Sequence, residues 1–214
     1  MTDAAPLSNT IPIFPLTGVL LLPRGVLPLN IFEPRYLNMV NDALASDRLI
    51  GMIQPRDPGS QAKVPAVYDV GCAGRISSFE ETDDGRYLIA LKGVSRFTIA
   101  EELQTTRGYR RVQADWSAFP GDQVDPDPIA FDRQRFLTGL VGFFERNGLQ
   151  ANWDAVKETP DERLITSLAM ICPFEPPEKQ ALLEAPTLAE RADMMTALLE
   201  MSAATAADGD APRH

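Results

Sequence analysis

The sequence predicts an α+β chain in which a β-rich pseudo-barrel with one inserted helix precedes a C-terminal helical bundle. Three observations carry this. Short apolar runs, broken by prolines and turns, fill residues 11–116. Residues 119–128 (FPGDQVDPDP) are then rich in proline and acid, and beyond them apolar residues recur at helical spacing. The expected boundaries are a flexible N-terminus (1–10), a β-rich subdomain (11–118), a linker (119–128), an acidic helical subdomain (129–202) and a frayed tail (203–214).

Residues 11–16 (IPIFPL) read as a first strand with edge character, because each proline removes a ladder donor. The apolar runs 19–22 and 26–32 follow, joined by a turn at Pro23-Arg24-Gly25. Glu33-Pro34 opens a helix with proline at its first position, where the missing N–H costs nothing, and Leu37, Val40 and Leu44 give its apolar face. Residues 48–54 form the next strand and 55–65 a polar loop. The clearest β signal is 70–79 and 86–91 flanking Thr82-Asp83-Asp84-Gly85, a hairpin with the Asp-Gly pair of a tight turn. Residues 94–100 and 109–116 supply further strands. In the second part, Asp127 with Pro128 is expected to cap a helix through Phe136, Leu140, Val141 and Phe144. Phe131, Phe136, Phe143 and Phe144 read mainly as core. Thr159-x-x-Glu162 and Thr187-x-x-Glu190 read as capping boxes, the first before Leu164, Ile165, Leu168 and Ile171, the second before Met195, Leu198 and Leu199. Pro176-Pro177 opens a short helix bearing Leu182 and Leu183.

Charge narrows the function. The 214 residues carry 20 Lys+Arg and 30 Asp+Glu, a net of −10. Residues 1–122 hold 12 basic and 14 acidic groups and residues 123–214 hold 8 and 16, so the acidic excess lies in the helical part. This balance repels phosphate backbones and anionic lipid and argues against a general nucleic-acid or membrane-surface role. The one histidine is His214, so Ser-His and Cys-His nucleophile pairs and His-ligated zinc lack an ordered imidazole. Cys72 and Cys172 are far apart and form no CxxC, which favours two buried reduced thiols over a bridge. The acidic runs Glu80–Asp84 and Asp122–Asp127 do not match a calcium loop and read as a turn and a linker. No metal and no cofactor is expected. The N-terminus carries no signal-peptide pattern, which makes the cytoplasm the expected location.

The opening IPIFPL (11–16), VLLLP (19–23) and IFEPRY (31–36) resemble the N-terminal domain of Lon ATP-dependent proteases. So do GRI (74–76), the Asp84-Gly85 hairpin, KGVSRF (92–97), EKQALLE (178–184) and the Glu190-Arg191 helix, in the same order over roughly residues 10–202. The resemblance implies a PUA-like pseudo-barrel followed by helices, and a role in recognising polypeptide. No GxxxxGK[ST] phosphate loop surrounds any of the four lysines, Lys63, Lys92, Lys157 and Lys179. The chain is therefore expected to be a stand-alone, non-catalytic substrate-binding domain without the ATPase and Ser-Lys peptidase modules. It would serve as an adaptor or regulator of proteolysis. The expected partner is unfolded or exposed polypeptide, with a separate AAA+ protease and weak self-association as further candidates.

The candidate polypeptide-binding residues are Leu20, Leu21, Leu22, Phe32, Glu33, Arg35 and Tyr36. Leu20 to Leu22 are more apolar than a connector needs: exposed, they would offer backbone and side chains to an unfolded partner; buried, they form a core strand. Glu33, Arg35 and Tyr36 would either line a groove or tie the helix to the barrel. Arg107, Tyr109, Arg110 and Arg111 form the only basic-aromatic cluster and supply the alternative reading, RNA binding through the barrel. A small-molecule sensor with a pocket between barrel and helices is the other alternative.

Overall fold

In the computed structural model, residues 7–209 are described apart from Gln61, Lys63 and Asp127. Six strands form one mixed sheet: β1 (Thr10–Pro15), β2 (Val26–Ile31), β3 (Leu49–Ile53), β4 (Val70–Glu81), β5 (Tyr87–Leu103) and β6 (Arg110–Asp115). Their order is β2-β5-β4-β3-β1-β6, and β5 also pairs with β6, which closes a ring of β5, β4, β3, β1 and β6. Helix α1 (Pro34–Leu44) is inserted between β2 and β3, with Glu33 at its N-cap. After β6 come a 3-10 turn (Pro120–Gln123) and helices α2 (Arg133–Arg146), α3 (Trp153–Glu158), α4 (Asp161–Ile171), α5 (Pro176–Glu184) and α6 (Leu188–Gly209).

The expected strands 86–91 and 94–100 are one 17-residue strand. One side of β5 is shared: its first half pairs with β2 (Val26↔Lys92 to Ile31↔Tyr87) and its second half with β6 (Thr98↔Asp115 to Leu103↔Arg111). β4 runs along the other side. β2 is thus held through β5 alone and leaves an open edge.

β1 is not an edge strand; it lies between β3 and β6. The prolines are tolerated because each faces a side on which no ladder exists at that point. Leu16 N–H donates to Ile53 O, so even-numbered donors of β1 face β3. Pairing with β3 starts at Ile13↔Gly51, after Pro12, and pairing with β6 ends at Ile13↔Arg110, before Pro15. Pro28 does lie on an edge: Gly93 N–H donates to Gly25 O, so odd-numbered β2 groups face β5 and even-numbered ones face outward.

Two apolar clusters hold the molecule together. The smaller fills the barrel around Phe97, with Ile11, Ile13, Leu49, Ile53, Ala73 and Val112. The Phe97 ring lies where a Cβ on Gly51 or Gly71 would stand, within 2.8 Å and 2.7 Å. The larger is continuous from the outer barrel wall (Leu21, Leu22, Ile76, Leu91) through α1 (Met39, Val40) to the helices (Phe136, Leu140, Ile165, Leu182, Leu199).

Two expectations in the helical half are corrected. α2 starts at Arg133, capped by Asp132, whose carboxylate accepts from Arg135 N–H at 2.9 Å; Asp127 lies outside the described residues. The 159–162 box does not form, because Thr159 closes α3 instead, donating through both N–H and Oγ1 to Ala155 O. α6 runs from Leu188 to Gly209. The Thr187–Glu190 box does form, each backbone N–H donating to the other's side chain, at 3.0 and 3.1 Å. Cys72 and Cys172 are both buried and unbridged. Burial pushes the Cys72 thiol well above its ordinary range and the Cys172 thiol up to about 12.

Candidate functional site

Leu20, Leu21 and Leu22 are core, at 2%, 1% and 0% exposure, in an irregular segment rather than a strand. The segment is pressed onto the barrel wall at glycines: a Cβ on Gly93 would stand 2.0 Å from Leu22 O, and one on Gly74 would stand 2.7 Å from Leu21 Cδ2. Its start is clamped between barrel and helices, since Gly18 N–H donates to Gln54 Oε1 after β3 (3.1 Å) and Gly18 O accepts from Lys179 Nζ of α5 (2.8 Å). The three leucines seal barrel against helices and are withdrawn from any binding surface in this conformation.

Phe32 is the opposite case, at 63% exposure. Glu33 and Arg35, both half-exposed, pair with each other (Arg35 Nε to Glu33 Oε2, 2.9 Å), so Arg35 does not tie α1 to the barrel. The Arg35 guanidinium also lies over the Tyr36 ring, 4.6 Å from its centroid. Tyr36 is buried, its ring 4.2 Å from that of Phe14, and burial raises its pKa. Of the four residues at the α1 start, Phe32, Glu33 and Arg35 face solvent and Tyr36 anchors them.

Phe32 has neighbours that sequence reasoning missed. β4 and β5 extend past the barrel as an arm closed at Thr82–Gly85, with Thr82 N–H donating to Arg86 O and Gly85 at φ +78°. On the arm, Phe79 (41% exposed) stacks edge-on against Tyr87, ring centroids 5.0 Å apart. Arg86, paired with Asp84 at 2.9 Å, places its guanidinium 6.0 Å from the Phe32 ring. Leu88 (40% exposed) lies on the opposite face of the arm, across from Asn30 and Glu80. The signal in the sequence was the run of large apolar residues right beside the hairpin turn, where a strand has outrun its core partners.

The basic-aromatic cluster is already occupied. Arg107 binds Asp42 through Nε (2.9 Å) and Nη2 (2.7 Å), and Tyr109 Oη donates to the same carboxylate at 2.7 Å. That hydroxyl first, then Arg107, holds Asp42 below the usual carboxylate range, while burial and then Asp42 raise Tyr109. Arg110 is bidentate to Glu102 at 2.7 Å twice and donates to Pro65 O. Two of the three cations available for RNA are thus spent on carboxylates. Phe136, Phe143 and Phe144 are core and Phe131 packs on Phe136.

The strongest polar feature was also missed: Asp122, inside the expected linker, is buried against Arg96 of β5. Asp122 accepts from Arg96 N, Nε and Nη2 at 2.8, 2.9 and 2.8 Å, and Arg96 Nη1 donates to Leu183 O and Ala185 O. Arg191 lies buried nearby, donating to Leu182 O, and burial pulls its pKa down to about 10. This is a structural lock between barrel and helices, far in character from an exposed site. Among the described residues no three His, Cys, Asp or Glu side chains gather to hold a metal, and no helix is long and apolar enough to cross a membrane.

Comparison with known proteins agrees with this architecture. The family model described as "ATP-dependent protease La (LON) substrate-binding domain" matches residues 10–201. Lon protease 2 of Myxococcus xanthus is 24% identical over 197 residues, covering 89% of this chain and 23% of its own length. Lon protease 2 of Sorangium cellulosum is 31% identical over 100 residues, 46% of this chain and 12% of its own. The chain therefore spans less than a quarter of these curated relatives. Among solved structures, the Lon N-terminal domain protein from Xanthomonas campestris superposes with a TM-score of 0.61 at 23% identity, covering 88% of this chain and 97% of that one. The N-terminal domain of Mycobacterium avium complex Lon protease gives 0.63 at 16%, covering 89% and 98%. These two share the fold.

Proposed function

Because the chain belongs to the ATP-dependent protease La (LON) substrate-binding domain family, we propose that it acts without catalysis of its own, holding exposed apolar polypeptide for proteolysis. The observation that carries the reading is that the arm leaves apolar side chains exposed on both faces, Phe79 at 41% on one and Leu88 at 40% on the other, with Phe32 at 63% beside Arg86 and the open edge of β2. Aromatic rings on a rigid sheet give an unfolded chain apolar contact, and the outward-facing groups of Val26 and Asn30 can accept one more strand. Arg86, Glu33 and Arg35 flank Phe32 with charge, which keeps the exposed ring soluble. Affinity is modest, since a flexible client loses conformational entropy on binding. A separate AAA+ protease would receive the client, in the cytoplasm. RNA binding is the weaker reading, because Arg107 and Arg110 are already paired.

The test is titration of a reduced, carbamidomethylated, permanently unfolded protein against the wild type and a Phe32→Asp/Phe79→Ser variant. Both positions are exposed, so the variant keeps its melting temperature within a few degrees, and its affinity falls at least about tenfold, the size expected for losing two aromatic anchors. Equal binding by the two proteins, or no binding by either, refutes the reading.

A further inference from the structure

On the sheet face opposite Leu91 and Ile76, along β5 from the arm, the residues make a second site. Val26, Lys92 and Arg75 form a row across β2, β5 and β4: Lys92 is the register partner of both others. Directly opposed cross-strand side chains stand about 5 Å apart at Cβ, and like charges in that position repel. Among the described residues neither Lys92 nor Arg75 forms an ion pair; Arg75 donates only to the main-chain oxygen of Asp47, and Lys92 to nothing. The pair lines a cavity of about 530 Å³ whose remaining walls include Arg24, Leu7, Val94 and Val124. Arg24 is held there at φ +67°, Nε on Glu162 at 2.9 Å and Nη1 on the carbonyls of Asp122 and Val124. Of the two acids in the lining, Asp122 is consumed by Arg96, and Asp125 makes no ion pair with the three cations. In a chain of net charge −10, this is a pocket with unneutralised positive charge.

The geometry points to this cavity as a receptor for the C-terminal end of a polypeptide, with Lys92 and Arg75 binding the α-carboxylate and Leu7, Val94 and Val124 receiving an apolar last side chain. The inference rests on the reading that the chain engages polypeptide, and adds the chain terminus as a recognised feature. A volume of this size suits a chain end rather than a folded surface. Charge and apolar wall together select a carboxylate attached to an apolar group, and capture of a terminal carboxylate by fixed donors is a recurrent binding mode. A nucleotide fits poorly, because the lining offers no aromatic ring for a base.

The experiment uses ten-residue fluorescent peptides with one common body, ending in Leu, Val, Phe or Ala, each as the free acid and as the C-terminal amide. At low salt at least one acid binds the wild type tenfold or more tightly than its amide, and added salt erodes the difference. In Lys92→Glu the new carboxylate faces Arg75 across the strands, so the variant melts at or above the wild-type temperature while the acid–amide ratio falls below twofold. Equal binding of acids and amides, no binding of any peptide, or an unchanged ratio in Lys92→Glu overturns the inference. Capture of the carbamidomethylated unfolded protein by the wild type, measured in the same buffer, separates the two readings. Capture without acid–amide discrimination removes the terminus site alone, whereas absent capture removes the broader one.

Discussion

Arg96 and Asp122 show how much one ion pair inside an apolar interior can fix. Every donor on the Arg96 guanidinium is spoken for, by the Asp122 carboxylate and by carbonyls at the end of α5, and its flat face lies 4.2 Å from the Phe119 ring centroid. Taking both charges out of water is expensive, so the pair is weak evidence for net stability, but breaking it is costly because one charge stays buried alone. Asp122→Asn is therefore expected to lower unfolding stability by about 3–5 kcal/mol, read from urea denaturation at pH 7. A loss under about 1 kcal/mol would mean water reaches Arg96 and the lock is not closed. Nothing in the sequence around Asp122 announced this, since an Asp between Gly121 and Gln123 in a proline-rich stretch has the composition of a solvated turn. Its partner lies 26 positions earlier, and only the closed barrel brings the two together.

At the scale of elements, what periodicity encodes was legible and what packing between layers decides was not. Alternation and the Asp-Gly turn located β4 and β5, and Pro34 located the start of α1. Leu20 to Leu22 carry no period of 2 or 3.6, so their burial in an irregular segment could not be read. It follows from the glycines they press against, Gly74 and Gly93, more than 50 residues away. The same reasoning explains β1: prolines mark missing donors, but which side of a strand lacks a partner at each residue is a property of the register. For the candidate surface, Phe32, Glu33 and Arg35 were visible as a polar and aromatic cluster, whereas Phe79 was indistinguishable from a core position until the arm was seen to outrun the barrel. The Gly93 contact gives a sharp test. A methyl there meets Leu22 backbone at 2.0 Å and 2.8 Å, atoms that cannot swing aside, whereas one on Gly121 meets nothing within 4 Å. Gly93→Ala should cost about 3 kcal/mol or prevent folding, and Gly121→Ala should stay within about 0.5 kcal/mol of wild type in the same urea titration. A tolerated Gly93→Ala would show that the 19–22 segment is not seated as described.

For the whole molecule, the shared core makes the barrel and the helices energetically one object. Leu21, Leu22 and Leu91 pack in the same cluster as Phe136, Leu182 and Leu199, and the Arg96 lock crosses the same boundary. Unfolding of one part would expose the apolar face of the other, so the two should melt together. The two tryptophans report this directly: Trp116 follows β6 and packs on Phe97, and Trp153 opens α3 and packs on Phe144. Trp116→Phe and Trp153→Phe variants, each followed through its remaining indole, are expected to show, after correction for each variant's own stability by circular dichroism, coincident fluorescence and backbone transitions. Separated midpoints would mean that the proline-rich stretch joins two independent folding units.

The central place of β1 has a consequence in time. The strand is made before both of its neighbours, β3 and β6, and β6 begins only at Arg110. At roughly 5–20 residues per second, about a hundred residues of synthesis leave its apolar side chains waiting on the order of 5–20 s for the partner that completes them. Ile11 and Ile13 are fully buried only at the end of that interval. For those seconds the segment is itself an exposed apolar polypeptide, the same kind of object that we propose the finished arm holds.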